Sequence, residues 1–379
     1  MAENTQEKPR ELAWLDGVRG TLAMWVLLGH TAGVCNVHIP ILSSPAKAVD
    51  WFMLVSGFLM MHHYRLRESL EPWHSGLTRM AFLTRRFFRI APLYYFVLFV
   101  SLAVQFLPAD RTVSSPGAVW SCFESAFMHV TFAFGFFPEW AQSTLVPDWS
   151  IGLEMQFYAM FPFWALALRR VHPLHMLGLT LAIWICSLNL WGVYSIGEAK
   201  VLGRFPQPSF LPLKLPHFLF GMMIALRWHD NSLTAGRLMA YLTWHLAASL
   251  WRNPPAAAAV AAAGSAFLVP GLARLPARVG RHAASLAAGV LGGRHFRWLG
   301  DLSYGIYLVH MLVLTGCNEI IKRDAWLSRE PAIVRFAICS SVVAATSILT
   351  SAILHRIIEV PMIGVGRRVA KALFRRAAS

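Results

Sequence analysis

Residues 15–30, LDGVRGTLAMWVLLGH, begin an apolar run that carries two side chains unsuited to lipid, Arg19 and His30. Because an α-helix turns by about 100° per residue, a spacing of eleven residues puts both side chains on one helix face. The rise between them is about 16 Å, about half the hydrocarbon thickness of a bilayer. Asp16 shares that face. The pattern favours a membrane helix with a functional polar face. The alternative is a snorkelling arginine with a hydrogen-bonded interior histidine.

The composition is that of a multi-span membrane protein. Of the 379 residues, 56% are hydrophobic and only 14% are charged, with a formal net charge of +15. Lys and Arg stand in short blocks between apolar runs, so they indicate membrane topology and exclude a compact nucleic-acid-binding domain. The five cysteines show no paired spacing, and we expect neither a disulfide framework nor a metal site.

Ten apolar runs predict an all-α bundle of about ten transmembrane helices with both termini in the cytoplasm. With this orientation the inner segments hold about three times as many Lys and Arg residues as the outer segments. The prediction divides the chain into a cytoplasmic tail (1–17), a membrane domain (18–354) and a basic cytoplasmic tail (355–379). The predicted spans are 18–38, 48–64, 90–107, 149–168, 174–195, 211–228, 236–252, 255–273, 299–317 and 332–354.

Residues 119–137 are apolar and aromatic but contain Glu124 and His129. We expect an interfacial or re-entrant helix here, because a span at this point would reverse the charge bias of the segments that follow. A further span is the alternative.

A basic cluster of Arg85, Arg86 and Arg89 lies in the stretch RRFFRIAPLYY. Arg86 and Arg89 are three residues apart and therefore share a helix face. Such a pair suits phosphate, which guanidinium groups bind through two parallel hydrogen bonds. The alternative is an ordinary cytoplasmic anchor of the positive-inside type.

The fourth predicted span opens with PDWSIGLEMQFY, residues 147–158, and places Glu154 inside an apolar run. Ser150 lies four residues before Glu154 on the same face, and Trp149 is an aromatic residue of the type found at membrane interfaces. The Glu154 carboxylate can pair with His30 or Arg19, or can bind a sugar hydroxyl.

The ninth predicted span contains LGDLSYGIYLVH, residues 299–310. Its spacing puts Tyr307 and His310 on one polar stripe, and Asp301 is predicted to mark the start of the helix.

Near the end of the chain, Glu359 is expected to pair with neighbouring arginines. Ser56 and Gly57, in the second predicted span, favour a close helix-packing site.

Five of these blocks, LDGVRGTLAMWVLLGH, FMLVSGFLM, RRFFRIAPLYY, PDWSIGLEMQFY and LGDLSYGIYLVH, follow one another in the order found in the acyltransferase-3 family, which the chain resembles. The Glu-x-Pro at Glu359 is a sixth match. The resemblance implies a bacterial inner-membrane, multi-pass O-acyltransferase. Such enzymes transfer an acyl group, usually acetyl, from cytoplasmic acyl-CoA to a hydroxyl of a carbohydrate or glycosylated acceptor. Acyl-CoA is then a donor substrate, and no permanently bound cofactor is expected.

The resemblance also suggests roles for the polar residues. His30 is the expected general base, since imidazole titrates near neutral pH. Arg19 would orient the donor or a carboxylate, for which Asp16 and Glu154 are the candidates. The expected CoA ligands are Arg85, Arg86 and Arg89, and the expected substrate contacts are Ser150, Trp149, Tyr307 and His310.

Asp148 departs from the family pattern, which often has a small residue before the Trp-Ser pair. The rival function is a transporter or exporter of a glycan or small molecule. That class is marked by internal repeats or paired broken helices, which the sequence does not show.

Overall fold

The computed structural model describes residues 12–106, 116–137, 139–170, 208–230, 235–249 and 289–376, with isolated positions between 175 and 186 and between 259 and 263. The long elements within these ranges are helices, which agrees with the predicted all-α class. In chain order they are α1 (Trp14–Val34), α2 (Pro45–Arg67), α3 (Gly76–Phe106), α4 (Pro116–Val130), α5 (Trp149–Arg170), α6 (Leu215–His229), α7 (Ala235–Ser249), α8 (Arg294–Arg323), α9 (Ala325–Arg329), α10 (Ala332–Leu354) and α11 (Val360–Arg376).

Four helices of the described chain are long and apolar enough to cross a membrane. They are Gly76–Gln105, Trp149–Leu168, Arg294–Arg323 and Ala332–Phe374. These four contain the fourth, ninth and tenth predicted spans and most of the third. The predicted spans 174–195 and 255–273 lie outside the described residues except for isolated positions. The span count and the side of each terminus therefore stay predictions.

The predicted C-terminal tail continues the last membrane helix. A single π-helical turn, His355–Glu359, joins α10 to α11, and the backbone stays helical to Arg376. Within that turn, His355 Nδ1 lies 2.9 Å from Glu359 Oε2. The expected pairing of Glu359 with arginines is therefore wrong, because its partner is a histidine four residues earlier on the same helix, a spacing at which side chains meet. Gly366 of α11 packs against α3, where an added Cβ would lie 2.6 Å from Phe88 Cβ.

The chain divides into two compact units. Unit 1 comprises Met1–Gly33, His38–Arg65 and Pro216–Tyr304, and unit 2 comprises Val34–Val37, Leu66–Leu215 and Gly305–Ser379. Unit 1 thus contains most of α1, α2 and α6, together with α7 and the first part of α8. Unit 2 contains α3, α4, α5, the rest of α8, and α9 to α11.

In unit 1, α2 and α6 run parallel and cross closely. Asp50 faces His217 near one end of the pair, with Oδ1 and Nε2 3.6 Å apart, and His62 Nδ1 lies 3.0 Å from His229 Nε2 near the other. Between these pairs, the Gly57 backbone lies against Phe218, and a Cβ at position 57 would overlap its carbonyl group. The predicted helix-packing role of this segment is confirmed, since only glycine permits so close an approach.

In unit 2, α3 and α5 run antiparallel around aromatic side chains. Phe82 stacks on Phe161 at a centroid distance of 5.3 Å, and Trp73 meets the edge of Phe161 at 5.5 Å. Toward the other end of α3, the Leu145 amide donates to Ser101 Oγ at 3.0 Å just before α5 begins. α4 has 15 residues and is about 22 Å long, shorter than the hydrocarbon core of a bilayer. Its interfacial or re-entrant position stays a prediction.

Candidate active site

The polar residues of the opening stretch lie together on α1, as their spacing predicts. Arg19 Nη1 and Asp16 Oδ1 form an ion pair at 3.7 Å, and the Arg19 side chain is the more buried partner. His30 is half-buried on the same helix, about 16 Å along its axis from Arg19. Side-chain spacing along one continuous helix is therefore enough to place all three.

The start of α1 packs tightly against the start of α8 in unit 1. A Cβ on Gly20 would lie 2.8 Å from the Gly300 amide nitrogen, and one on Gly300 would overlap the Asp16 carbonyl group. The first and last of the five sequence blocks are therefore in contact. α8 begins at Arg294, so Asp301 lies inside the helix and the prediction that it marks the helix start is wrong. The polar turn before it contains arginines, which are good helix formers, and simply extends the helix.

The three clustered arginines of α3 differ in their contacts. Arg85 forms a two-pronged ion pair with Glu71, with distances of 2.6 Å and 3.3 Å. Arg86 lies instead between two rings, with its Cζ 5.7 Å from the Phe82 centroid and 5.5 Å from the Tyr158 centroid. In the part of the chain that the structure describes, neither Arg86 nor Arg89 has a carboxylate ion-pair partner. The charge of Arg85 is thus matched by a carboxylate, whereas the guanidinium of Arg86 lies against aromatic faces.

Three hydroxyl and carboxylate side chains form a polar stripe along α5, composed of Ser150, Glu154 and Tyr158. Each follows the last by one helical turn, which confirms that Ser150 and Glu154 share a face. The Tyr158 hydroxyl donates a short hydrogen bond to Glu154, and the Ser150 and Tyr307 hydroxyl oxygens lie 2.7 Å apart. Tyr158 is the residue that joins this stripe to the guanidinium of Arg86.

Two of the expected substrate contacts, Trp149 and His310, are buried. Trp149 has only 7% of its surface exposed, and His310 has none. His310 Nδ1 lies 2.7 Å from the Tyr307 carbonyl oxygen and 3.2 Å from that of Ile306, so this nitrogen is bound within its own helix. A substrate role for either residue stays a prediction.

Sequence reasoning missed the parts played by Tyr158 and Glu71. The spacing of four between Glu154 and Tyr158 was a usable signal, because residues so separated meet on a helix. The Arg85–Glu71 pair gave no such signal, since Glu71 precedes α3 and reaches Arg85 only after the chain has turned. No group of three or more His, Cys, Asp or Glu side chains is arranged to hold a metal ion among the residues described.

Comparison with known proteins adds independent information. The acyltransferase-3 family model, described as an acyltransferase domain, matches residues 12–351. Acyltransferase MdmB of Streptomyces mycarofaciens is 23% identical over 94% of this chain and 94% of its own length. Nodulation protein 10 of Rhizobium leguminosarum bv. viciae is 28% identical over 76% of this chain and 77% of its own. O-acetyltransferase OatA of Staphylococcus aureus is 25% identical over 48% of this chain and 29% of its own. No solved structure matches at a significant level.

Proposed function

The chain belongs to the acyltransferase-3 family, and from this premise we propose that it is a multi-pass enzyme of the bacterial inner membrane. It transfers an acetyl group from cytoplasmic acetyl-CoA to a hydroxyl of a carbohydrate or glycosylated acceptor. The names of its relatives support the reaction class: one is an acyltransferase similar over nearly its whole length, and another is an O-acetyltransferase. The donor, the acceptor class and the side of the membrane belong to the proposal.

The observation that supports the assignment of the acetyl-CoA site is that neighbouring arginines of α3 have different partners. Arg85 is paired with Glu71, whereas Arg86 is held by two aromatic faces and Arg89 follows one turn later. Aromatic faces hold a guanidinium without consuming its hydrogen-bond donors, so Arg86 can bind phosphate oxygens. We assign Arg86 and Arg89 to the CoA phosphates and give Arg85 a structural role.

The chemistry proposed for the chain is a direct acyl transfer. An acceptor hydroxyl oxygen attacks the thioester carbonyl carbon while His30 takes the hydroxyl proton. The C–S bond then breaks, and the departing CoA sulfur takes the proton from His30, so CoA leaves as a thiol and His30 is neutral again. Arg19, paired with Asp16, would orient the acyl-CoA donor or a neighbouring carboxylate. Glu154, held by Tyr158, would accept a hydrogen bond from the acceptor.

The test measures the KM for acetyl-CoA in membrane vesicles that contain Arg86→Ala, Arg85→Ala or Arg79→Ala. Loss of a charge-assisted contact worth about 1.5–3 kcal/mol should raise the donor KM about 10- to 100-fold in Arg86→Ala. Arg79 is exposed on the same helix, and Arg79→Ala removes the same positive charge as Arg86→Ala. Arg79→Ala should therefore leave the KM for acetyl-CoA unchanged. Arg85→Ala should lower the yield of folded protein rather than the donor affinity.

Equal KM values in all three variants would reject the donor assignment. A transporter would behave differently from any of these variants. It would leave acetyl-CoA intact in wild-type vesicles, so thioester cleavage that depends on the protein separates the two function classes.

A further inference from the structure

Two residues that are unusual in the sequence meet in a buried pair. His129 lies in the apolar α4 stretch, and Asp148 directly precedes the apolar helix α5. His129 Nε2 lies 3.0 Å from Asp148 Oδ2, and both side chains are completely buried within unit 2. Ionisable groups are costly in such surroundings unless they are paired and hydrogen-bonded.

The histidine ring of this pair is fixed on three sides. Its Nδ1 lies 2.7 Å from the Ser125 carbonyl oxygen, which can only accept, so this nitrogen carries a proton. The ring stacks on Phe134 at a centroid distance of 4.6 Å and an interplanar angle of 10°. One proton therefore remains to be placed between Nε2 and Asp148 Oδ2, and both nitrogens of His129 are already engaged.

Asp148 in turn holds the beginning of α5. Its Oδ2 accepts a hydrogen bond from the Thr144 hydroxyl at 2.7 Å, and its main-chain carbonyl accepts the Gly152 amide at 3.0 Å, the bond that starts the helix. Ser150, two residues later, is bonded to Tyr307 at 2.7 Å. The contacts of the Asp148 side chain thus fix the first turn of α5, from which Ser150 projects.

We propose that the His129–Asp148 pair is a positioning device that fixes the first turn of α5, and with it the Ser150–Tyr307 end of the polar stripe. His129 does not act as a base, since neither ring nitrogen is available to a substrate. The pair acts through geometry, so a neutral side chain of the same shape will replace Asp148. The catalytic importance of this turn rests on the proposed acyltransferase function, whereas its local order does not.

Asp148→Asn is the discriminating substitution. The Asn amide can donate one hydrogen to a neutral His129 Nε2 and the other to Thr144 Oγ1. The Thr144 hydroxyl can then turn to the Val146 carbonyl oxygen, which lies 3.5 Å away. Asp148→Ala removes both contacts, and Thr144→Val removes only one. Ser340→Ala is the matched control, because the Ser340 hydroxyl donates to the Phe336 carbonyl oxygen of its own helix.

The experiment combines amide hydrogen exchange of the purified protein in detergent with acetyl-CoA thioester cleavage in vesicles. We expect Asp148→Ala to speed exchange at amides 152 and 153 at least tenfold and to reduce cleavage about tenfold. Thr144→Val should show a smaller change of the same kind, which keeps the test usable if Asp148→Ala does not fold. Asp148→Asn and Ser340→Ala should stay within twofold of wild type in both measurements.

Three results would overturn the proposal. The first is unchanged exchange at amides 152 and 153 in folded Asp148→Ala, or in Thr144→Val if Asp148→Ala does not fold. The second is acceleration spread equally over all helices, which marks general destabilisation. The third is an Asp148→Asn protein whose amides stay protected from exchange but which no longer cleaves the acetyl-CoA thioester. That result would assign a chemical role to the proton between His129 and Asp148. If wild-type protein cleaves no thioester, the proposed function fails while the exchange measurement still decides the positioning role.

Discussion

The polar faces of α1 and α5 are organised by different kinds of contact. On α1, the ion pair between Asp16 and Arg19 joins residues three positions apart on one helix. On α5, Ser150 is bonded to a residue 157 positions away, and Tyr158 lies against Arg86 of α3. The spacing of the polar residues on α1 follows from helix periodicity, whereas the contacts of Ser150 and Tyr158 on α5 need the packing of unit 2. We expect substitutions of His30 on α1 to affect chemistry, and substitutions along α5 to affect chemistry and packing together.

The largest expected effect is that of His30→Gln on α1. A positioned general base contributes about 10²–10⁴-fold, and a glutamine amide cannot take the acceptor proton, so kcat should fall by about that factor. The yield and thermal midpoint of the protein should stay close to wild type. The measurement is acyl transfer per folded molecule, with His38→Gln as the control because His38 is exposed in the loop after α1. Near-normal turnover of His30→Gln would reduce His30 to a structural residue.

A smaller effect is expected for Tyr307→Phe, which removes the hydroxyl that meets Ser150 at the start of α5. One hydrogen bond is worth about 0.5–1.5 kcal/mol, so turnover should fall about two- to tenfold. Tyr95→Phe removes a comparable hydroxyl, which donates to the Val130 carbonyl oxygen away from the stripe. If the two variants lose activity equally, the Ser150–Tyr307 bond has no special place in the reaction.

The smallest effect is expected for Glu71→Gln, which breaks the ion pair of Arg85. Both side chains are about one-fifth exposed, so the pair should contribute about 1 kcal/mol or less. A fall of a few degrees in the thermal midpoint, with an unchanged KM for acetyl-CoA, would fit a purely structural pair. An altered donor KM would show that Arg85 also belongs to the donor site.

Helix periodicity explains which features could be predicted from the sequence. The shared face of Ser150 and Glu154, the helix that carries Arg19 and His30, and the close packing at Gly57 all depend on neighbours within one element. The ten-span prediction also requires its second and sixth spans to run in the same direction, as α2 and α6 do, although the span count itself stays a prediction.

The remaining features depend on contacts that connect separate elements. Arg85 and Arg86 are adjacent and chemically identical, yet only Arg85 lies within reach of Glu71. His129 and Asp148 each seemed anomalous by itself, and only the fold shows that they form a pair. Glu359 is a different case, because its partner His355 lies four residues earlier on the same helix, a spacing that can be read from the sequence.

The central claim, acyl transfer from a cytoplasmic donor, is tested most directly by CoA release from acetyl-CoA in two kinds of vesicle. Inverted vesicles expose the cytoplasmic face, which is the side proposed for Arg86 and Arg89. The account predicts release of free CoA thiol by inverted vesicles that contain the protein. Sealed right-side-out vesicles should release none until they are permeabilised. Absence of release in both preparations, before and after permeabilisation, would contradict it.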